Sequence, residues 1–214
     1  MSFGTMFLQM GAGMGKSLLI FVLTLLFSMP LGMIVAFGRM SKNKIIQTAV
    51  KFYISVMRGT PLMLQLLVIF YGPYYLFGMN IGSRFAAVIV GFSLNYAAYF
   101  AEIYRSGIQS IPVGQYEAAN VLGYSKTQTF MLIILPQVIK RILPAVTNEI
   151  ITLVKDTSLA FAIAYQEMFT IGKQIAASQT SFVPFVIAGV FYYVMNLMVA
   201  FAMDKAEEKL SYYR

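Results

Sequence analysis

Glu149, Lys155 and Asp156 stand within eight residues of one another, at the end of a stretch (137–153) otherwise apolar enough to cross a bilayer. Charges at membrane depth are costly unless they are paired, hydrated or offered to a polar solute. The cluster can therefore serve as a charge relay, as a contact for a transported molecule, or as a structural salt bridge. At helical spacing Asn148, Thr152 and Lys155 share one face, with Glu149 and Asp156 on a neighbouring one. Asn95, Tyr99 and Glu102 fall at i, i+4 and i+7 of a second stretch and share a face that lipid excludes, which turns it toward the bundle or a wet cavity. Glu102 is also three residues from Arg105, near enough to pair. Gln65, several residues inside a third apolar run, reads first as an interhelical hydrogen bond and second as a pathway residue.

Covalent chemistry is absent from this inventory. The chain has no His and no Cys, which removes the usual proton shuttle, the thiolate nucleophile and most metal ligation. Gly11-Ala-Gly-Met-Gly-Lys-Ser17 invites a phosphate-loop reading, but that motif needs glycine where Met10 stands, a strand before it and no membrane span after it. No nucleotide, metal or other cofactor is expected on this chain.

The elements that position these residues can be read from composition. Of 214 residues, 59% are hydrophobic and 11% charged, and the mean hydropathy is +0.73, the balance of an all-α integral membrane protein. Five runs are long enough to cross a hydrocarbon core of about 30 Å: about 17–38, 52–77, 85–104, 137–154 and 183–203. The first lacks a basic region before it and is too long for a signal-peptide core, so it is expected to remain in the mature chain. Thr60-Pro61 should kink or restart the second. Lys155-Asp156-Thr-Ser-Leu159 should interrupt the fourth, with Asp156 or Ser158 capping the next element. Residues 159–182 read as a short outer helix and loop, and 204–214 as a charged tail.

Basic residues orient the chain. The net charge of +8 is not gathered into a nucleic-acid patch. Five Lys or Arg fall in 39–58, four in 105–141 and three in the tail, twelve of the sixteen. This excess places the N-terminus outside and residues 105–141 in the cytoplasm.

Within that cytoplasmic region, Glu117 to Pro136 (EAANVLGYSKTQTFMLIILP) cannot sit in lipid. Ile111-Pro112 opens a short helix ending near Leu122, Gly123 is free to close it in the left-handed conformation, and Ser125 with Gln128 fits a capping box that starts a second helix. The result is a compact knuckle over about 112–130, with Ala118 and Ala119 leaving one face flat enough for another protein.

Glu-Ala-Ala, three residues, Gly, a spacer and Ile-x-Leu-Pro resembles the EAA signature of membrane subunits of ATP-binding-cassette importers. Arg58-Gly-Thr-Pro-Leu-Met-Leu-Gln-Leu66, the stretch from Asn95 to Ala119 and Lys155-Asp-Thr-Ser-Leu159 are similar to the polar amino-acid subgroup, and Glu207-Glu208-Lys209-Leu210 resembles the usual ending of the family. One departure is Val113, where a basic residue often stands. The resemblance implies a single permease domain over 1–214 with the five-helix type I importer (MetI-like) fold, in a bacterial-type cytoplasmic membrane. It also implies docking of Glu117, Ala118, Ala119 and Gly123 on a separate ATPase dimer that binds ATP and Mg, with Glu117 as an anchor paired to a base such as Arg141. A second permease subunit, identical or paralogous, and an extracytoplasmic solute-binding protein complete the implied assembly, which carries an amino acid or similar polar solute. The competing class is a stand-alone ion-coupled carrier or channel with Glu149, Lys155 and Asp156 as its relay.

Overall fold

The computed structural model describes residues 2–210, and the described residues are helical almost throughout. The elements are α1 (Phe3–Arg39), α2 (Lys44–Gly59), α3 (Leu62–Phe77), α4 (Arg84–Gln109), α5 (Val113–Val121), the one-turn α6 (Lys126–Gln128), a π-helical segment (Thr129–Ile134), α7 (Leu135–Asp156), a 3-10 segment (Thr157–Ile163), α8 (Met168–Gln179) and α9 (Val183–Leu210). Four helices are long and apolar enough to cross a membrane, and α2 with α3 makes a fifth if that bent pair is one span.

α4 is the hub. Phe92, Ala97, Ala98, Phe100 and Ala101 on it are wholly buried. Small residues let its neighbours come close: a methyl added at Gly32 of α1 would stand 2.8 Å from Cβ of Phe100, and one at Gly107 of α4 would stand 2.2 Å from the Ile142 side chain of α7. Both contacts fix helix spacing, because a buried methyl without room forces backbone shifts.

Several sequence expectations need correction. The first span was read as 17–38, but its helix is 37 residues long and begins at Phe3. The extra turns have a core of their own, where Met6 and Met10 pack with Met168, Ile175, Ile187 and Ala188. The second span, expected over 52–77 with a kink or restart at Thr60-Pro61, does restart there, as two helices that begin earlier, at Lys44, and meet at 110°. Pro61 lacks an amide and disfavours helical geometry in the residue before it, and Thr60 is accordingly extended at φ −122°, ψ 148°.

The α-helix does end within 155–159, at Asp156, but no new capped element starts there. The helix tightens into the 3-10 segment and ends at Ala164, in the left-handed region at φ 54°. The hydroxyls of Thr157 and Ser158 donate to the carbonyls of Val154 and Lys155, so the last turn stays satisfied without a new cap.

The knuckle is half as expected. α5 ends at Val121, and Gly123 takes φ +79°. The capping box forms: Ser125 Oγ accepts from the Gln128 amide at 3.3 Å, and Gln128 Oε1 from the Ser125 amide at 2.9 Å. No second short helix closes the knuckle, since Lys126 to Ile163 runs on as one apolar rod. Its π segment, with the Leu135 amide donating to the Phe130 carbonyl five residues back, lies just before Pro136, where an α ladder would lack a donor.

α9 continues to Leu210, so the stretch read as a tail is mostly helix, and Glu207 accepts from Thr147 Oγ1 of α7 at 2.8 Å. Residues 211–214 of that tail lie outside the described residues.

Candidate functional site

α4 and α7 enclose a cavity of about 340 Å³ beside the α2–α3 bend. α4 supplies Asn95, Tyr96 and Tyr99, α7 supplies Glu149, Thr152 and Asp156, and the bend supplies Thr60, Pro61 and Leu62. Spacings of three and four residues stack the α7 trio along one helix face. A second space of about 560 Å³ adjoins it, sharing Tyr99 and Glu149 and adding Arg58, Glu102, Arg105, Ser110 and Arg141.

Most of the polar groups around these spaces are already engaged. Gln65 Nε2 donates to the Met57 carbonyl at 3.0 Å, the Thr60 carbonyl at 3.1 Å and Thr60 Oγ1 at 2.8 Å, while its Oε1 accepts from Asn95 Nδ2 at 2.9 Å. Asn95 also donates to the Met57 carbonyl at 2.9 Å. Gln65 therefore satisfies backbone groups exposed where the helix breaks, while Asn95 both braces that break and borders the cavity. Glu102 accepts from Arg105 Nη2 at 2.6 Å and faces Arg39 Nε at 3.8 Å.

The acids of α7 are different. Asp156 accepts from the Tyr96 hydroxyl at 2.8 Å, and Glu149, half-buried, has no hydrogen bond or ion pair among the described residues. Asn148 and Lys155, grouped with them at sequence level, are exposed on α7 and line neither space. No ion pair joins Lys155 to Glu149 or Asp156 among the described residues.

At the knuckle, Glu117 and Ala118 are exposed, but Ala119 is only 1% exposed and packs inward, so it offers no docking surface. Val121, Leu122 and Val113 project instead, at 86%, 73% and 69% exposure. Glu117 lines a recess of about 590 Å³ with Tyr116, Asn120, Tyr124, Lys126, Thr129 and Phe130. Its expected partner Arg141 is elsewhere: Nη1 donates to the carbonyl of Ser110 and, at 3.1 Å, to its hydroxyl. The close α4–α7 contact at Gly107 brings Arg141 to the carbonyl end of α4, a favourable place for a cation.

Sequence reading passed over Glu167. It is wholly buried, caps α8 through the amides of Phe169 and Thr170 at 2.7 Å each, and also accepts from Thr170 Oγ1, Ser17 Oγ and Tyr192 Oη. Burial pushes its carboxyl up from 4.5 while these donors pull it back. Glu167 with Thr170 three residues on was the available signal, a helix start with an acidic cap.

Residues 28–212 match the family described as the binding-protein-dependent transport system inner membrane component. The chain belongs to it. This family member is 37% identical over 199 residues to the arginine transport system permease protein ArtQ of Bacillus subtilis strain 168, covering 92% of this chain and 90% of that one. To the L-cystine transport system permease protein TcyB of the same organism it is 34% identical, covering 90% and 82%. Its fold superposes on the crystal structure of an amino acid ABC transporter with histidines at a TM-score of 0.86 and 34% identity, covering 94% of each chain. The MetNI methionine ABC transporter, at 20% identity and a TM-score of 0.79, shares the fold. The chain is thus a multi-pass permease subunit of an ATP-binding-cassette importer with the type I, MetI-like fold, and not a stand-alone carrier or channel.

Proposed function

We propose that this permease carries an amino acid or a close polar analogue through the cavity between α4 and α7, and that movement reaches the cavity from the knuckle. The observation that carries this reading is continuity: one helical rod runs from Lys126, beside the knuckle, to Ile163, past Glu149, Thr152 and Asp156. A displacement of its cytoplasmic end must reach the cavity wall unless the π segment absorbs it. Val121, Leu122, Ala118, Glu117 and Gly123 form the contact with an ATPase dimer that holds ATP and Mg. Burying Val121 and Leu122 there contributes about 1.5–3 kcal/mol each, and only the part that differs between ATPase states can move the gate.

A second permease subunit, identical or paralogous, closes the cavity's open side, and an extracytoplasmic binding protein delivers the solute. The N-terminus faces outward, in keeping with the distribution of basic residues. Relatives and structural neighbours named for amino-acid transport support the choice of solute.

The test is Val121→Asp with Leu122→Asp, in the transporter reconstituted in proteoliposomes. The permease should still extract and purify, but lose its ATPase on purification and lose ATP-driven amino-acid uptake. Unchanged uptake would remove the knuckle from the mechanism.

A further inference from the structure

α1 and α7 both pack closely on α4, at Gly32 against Phe100 and at Gly107 against Ile142, yet they leave a groove of about 250 Å³ between them. Met29 and Met33 of α1 form one wall, Val138 and Ile142 of α7 the other, and Tyr104 and Ile108 of α4 the floor. Apart from the Tyr104 hydroxyl, no lining side chain carries an oxygen or a nitrogen. Water needs several polar partners and does not settle in such a space, and leaving it empty forfeits the contacts of every side chain around it. Something apolar has to fill it.

The groove lies at the depth of the cytoplasmic leaflet, since Met33 is only about 9 Å of helix before Arg39, where α1 ends. Beside it Ile34, Leu132 and Ile139 are exposed, so it is continuous with the surface these helices present to lipid. Phe37 and Phe130 meet edge-on at 6.2 Å on its cytoplasmic side, which closes that end and leaves entry from the flank. Just past Phe37 stand Lys42 and Lys44, both exposed and without an ion pair among the described residues.

We infer that the groove holds one acyl chain of a phospholipid from the cytoplasmic leaflet, with an anionic headgroup drawn to Lys42 and Lys44. The two methionines suit this occupant, because unbranched flexible side chains adapt to a chain of no fixed shape. Lysines at the membrane surface attract anionic headgroups over roughly a Debye length, so they set the headgroup preference while the apolar walls hold the chain. The lipid sits behind the part of the rod that joins the knuckle, where Phe130, Val138 and Ile142 face it. It keeps α7 from collapsing onto α1.

Native mass spectrometry of the purified permease–ATPase complex tests this, after delipidation in detergent and titration with dioleoyl phosphatidylglycerol or dioleoyl phosphatidylcholine. One phosphatidylglycerol per permease subunit should stay bound through washing, at least threefold more tightly than phosphatidylcholine. Lyso-phosphatidylglycerol, with one chain, should compete for the site, and glycerol phosphate, with none, should not. Ile139→Trp at the mouth and the milder Met33→Phe on the wall should each displace that lipid. Lys42→Gln with Lys44→Gln should keep it but erase the preference for phosphatidylglycerol. Phosphatidylglycerol should also raise the melting temperature of the unaltered complex and leave that of Ile139→Trp where it was, with retained ATPase association excluding misfolding. Lipid retained by both filled variants, or glycerol phosphate competing as well as the lyso-lipid, overturns the inference. A Met33→Phe complex that falls apart into single permease subunits with its lipid count unaltered would put a second copy of the chain in the groove, and overturns it equally.

Discussion

The hydroxyl of Tyr96 reaches across from α4 to Asp156 at the end of α7, a single hydrogen bond of 2.8 Å between the hub helix and the rod that leads to the knuckle. Removing the donor leaves a half-buried carboxylate less well solvated. Tyr96→Phe should therefore cost about 1–2 kcal/mol, the contribution of a bond to a charged group discounted for partial exposure. Thermal unfolding in detergent measures it, and in an Asp156→Asn background the same change should cost clearly less.

Gly123 occupies the left-handed region with open space around the position of a side chain, so backbone preference alone limits substitution. Asn visits that region more readily than a β-branched residue does. Gly123→Asn should retain most ATPase association and uptake, whereas Gly123→Val should lower both by changing how α5 meets Ser125. Co-purification yield of the ATPase and transport rate report the difference.

Gln65→Leu keeps the volume but strips donors from the carbonyls of Met57 and Thr60 and an acceptor from Asn95. An unsatisfied buried group costs about 1–3 kcal/mol. The variant should melt several degrees lower and transport poorly even with ATPase bound, as the α2–α3 bend loosens beside the cavity. Normal melting would mean that water replaces the amide.

Glu167 should give the protein a pH-dependent stability. Burial raises its carboxyl above the ordinary 4.5, so the folded state holds this proton more tightly than the unfolded one. The resulting stabilisation is complete below the ordinary value and is lost as pH rises through the raised one. Glu167→Gln should abolish that slope and lower stability at neutral pH, because an amide NH₂ cannot accept from the donors around it. Melting temperatures of both proteins from pH 4 to 8 test it.

Local chemistry made part of this structure legible in the sequence. Ser125 and Gln128, Gly123, and the Glu102–Arg105 pair are interactions over three or four residues, which spacing alone can reveal. Ala119 and Arg141 were misassigned because their directions depend on how α5 and α7 pack, a matter of contacts far apart in the chain. Hydropathy could mark 52–77 as apolar but could not tell a kink at Pro61 from a 110° turn. The α winding ends at Asp156 as expected, but no cap forms there because Thr157 and Ser158 satisfy the carbonyls of Val154 and Lys155 and let the chain continue as a 3-10 segment. Glu149 and Asp156 could be picked out as costly, but only tertiary structure separates them from Lys155.

The π segment has a consequence for which changes in chain length the protein can absorb. A π turn holds one residue more than an α ladder needs, so a deletion within 129–134 can be taken up by a return to ordinary winding. Removing a residue from 137–148 has no such slack. At 3.6 residues per turn it would swing Glu149, Thr152 and Asp156 by about 100° relative to the knuckle, off the cavity wall. The short stretch before Pro136 is thus where a one-residue deletion can be absorbed without re-aiming the acidic face of α7.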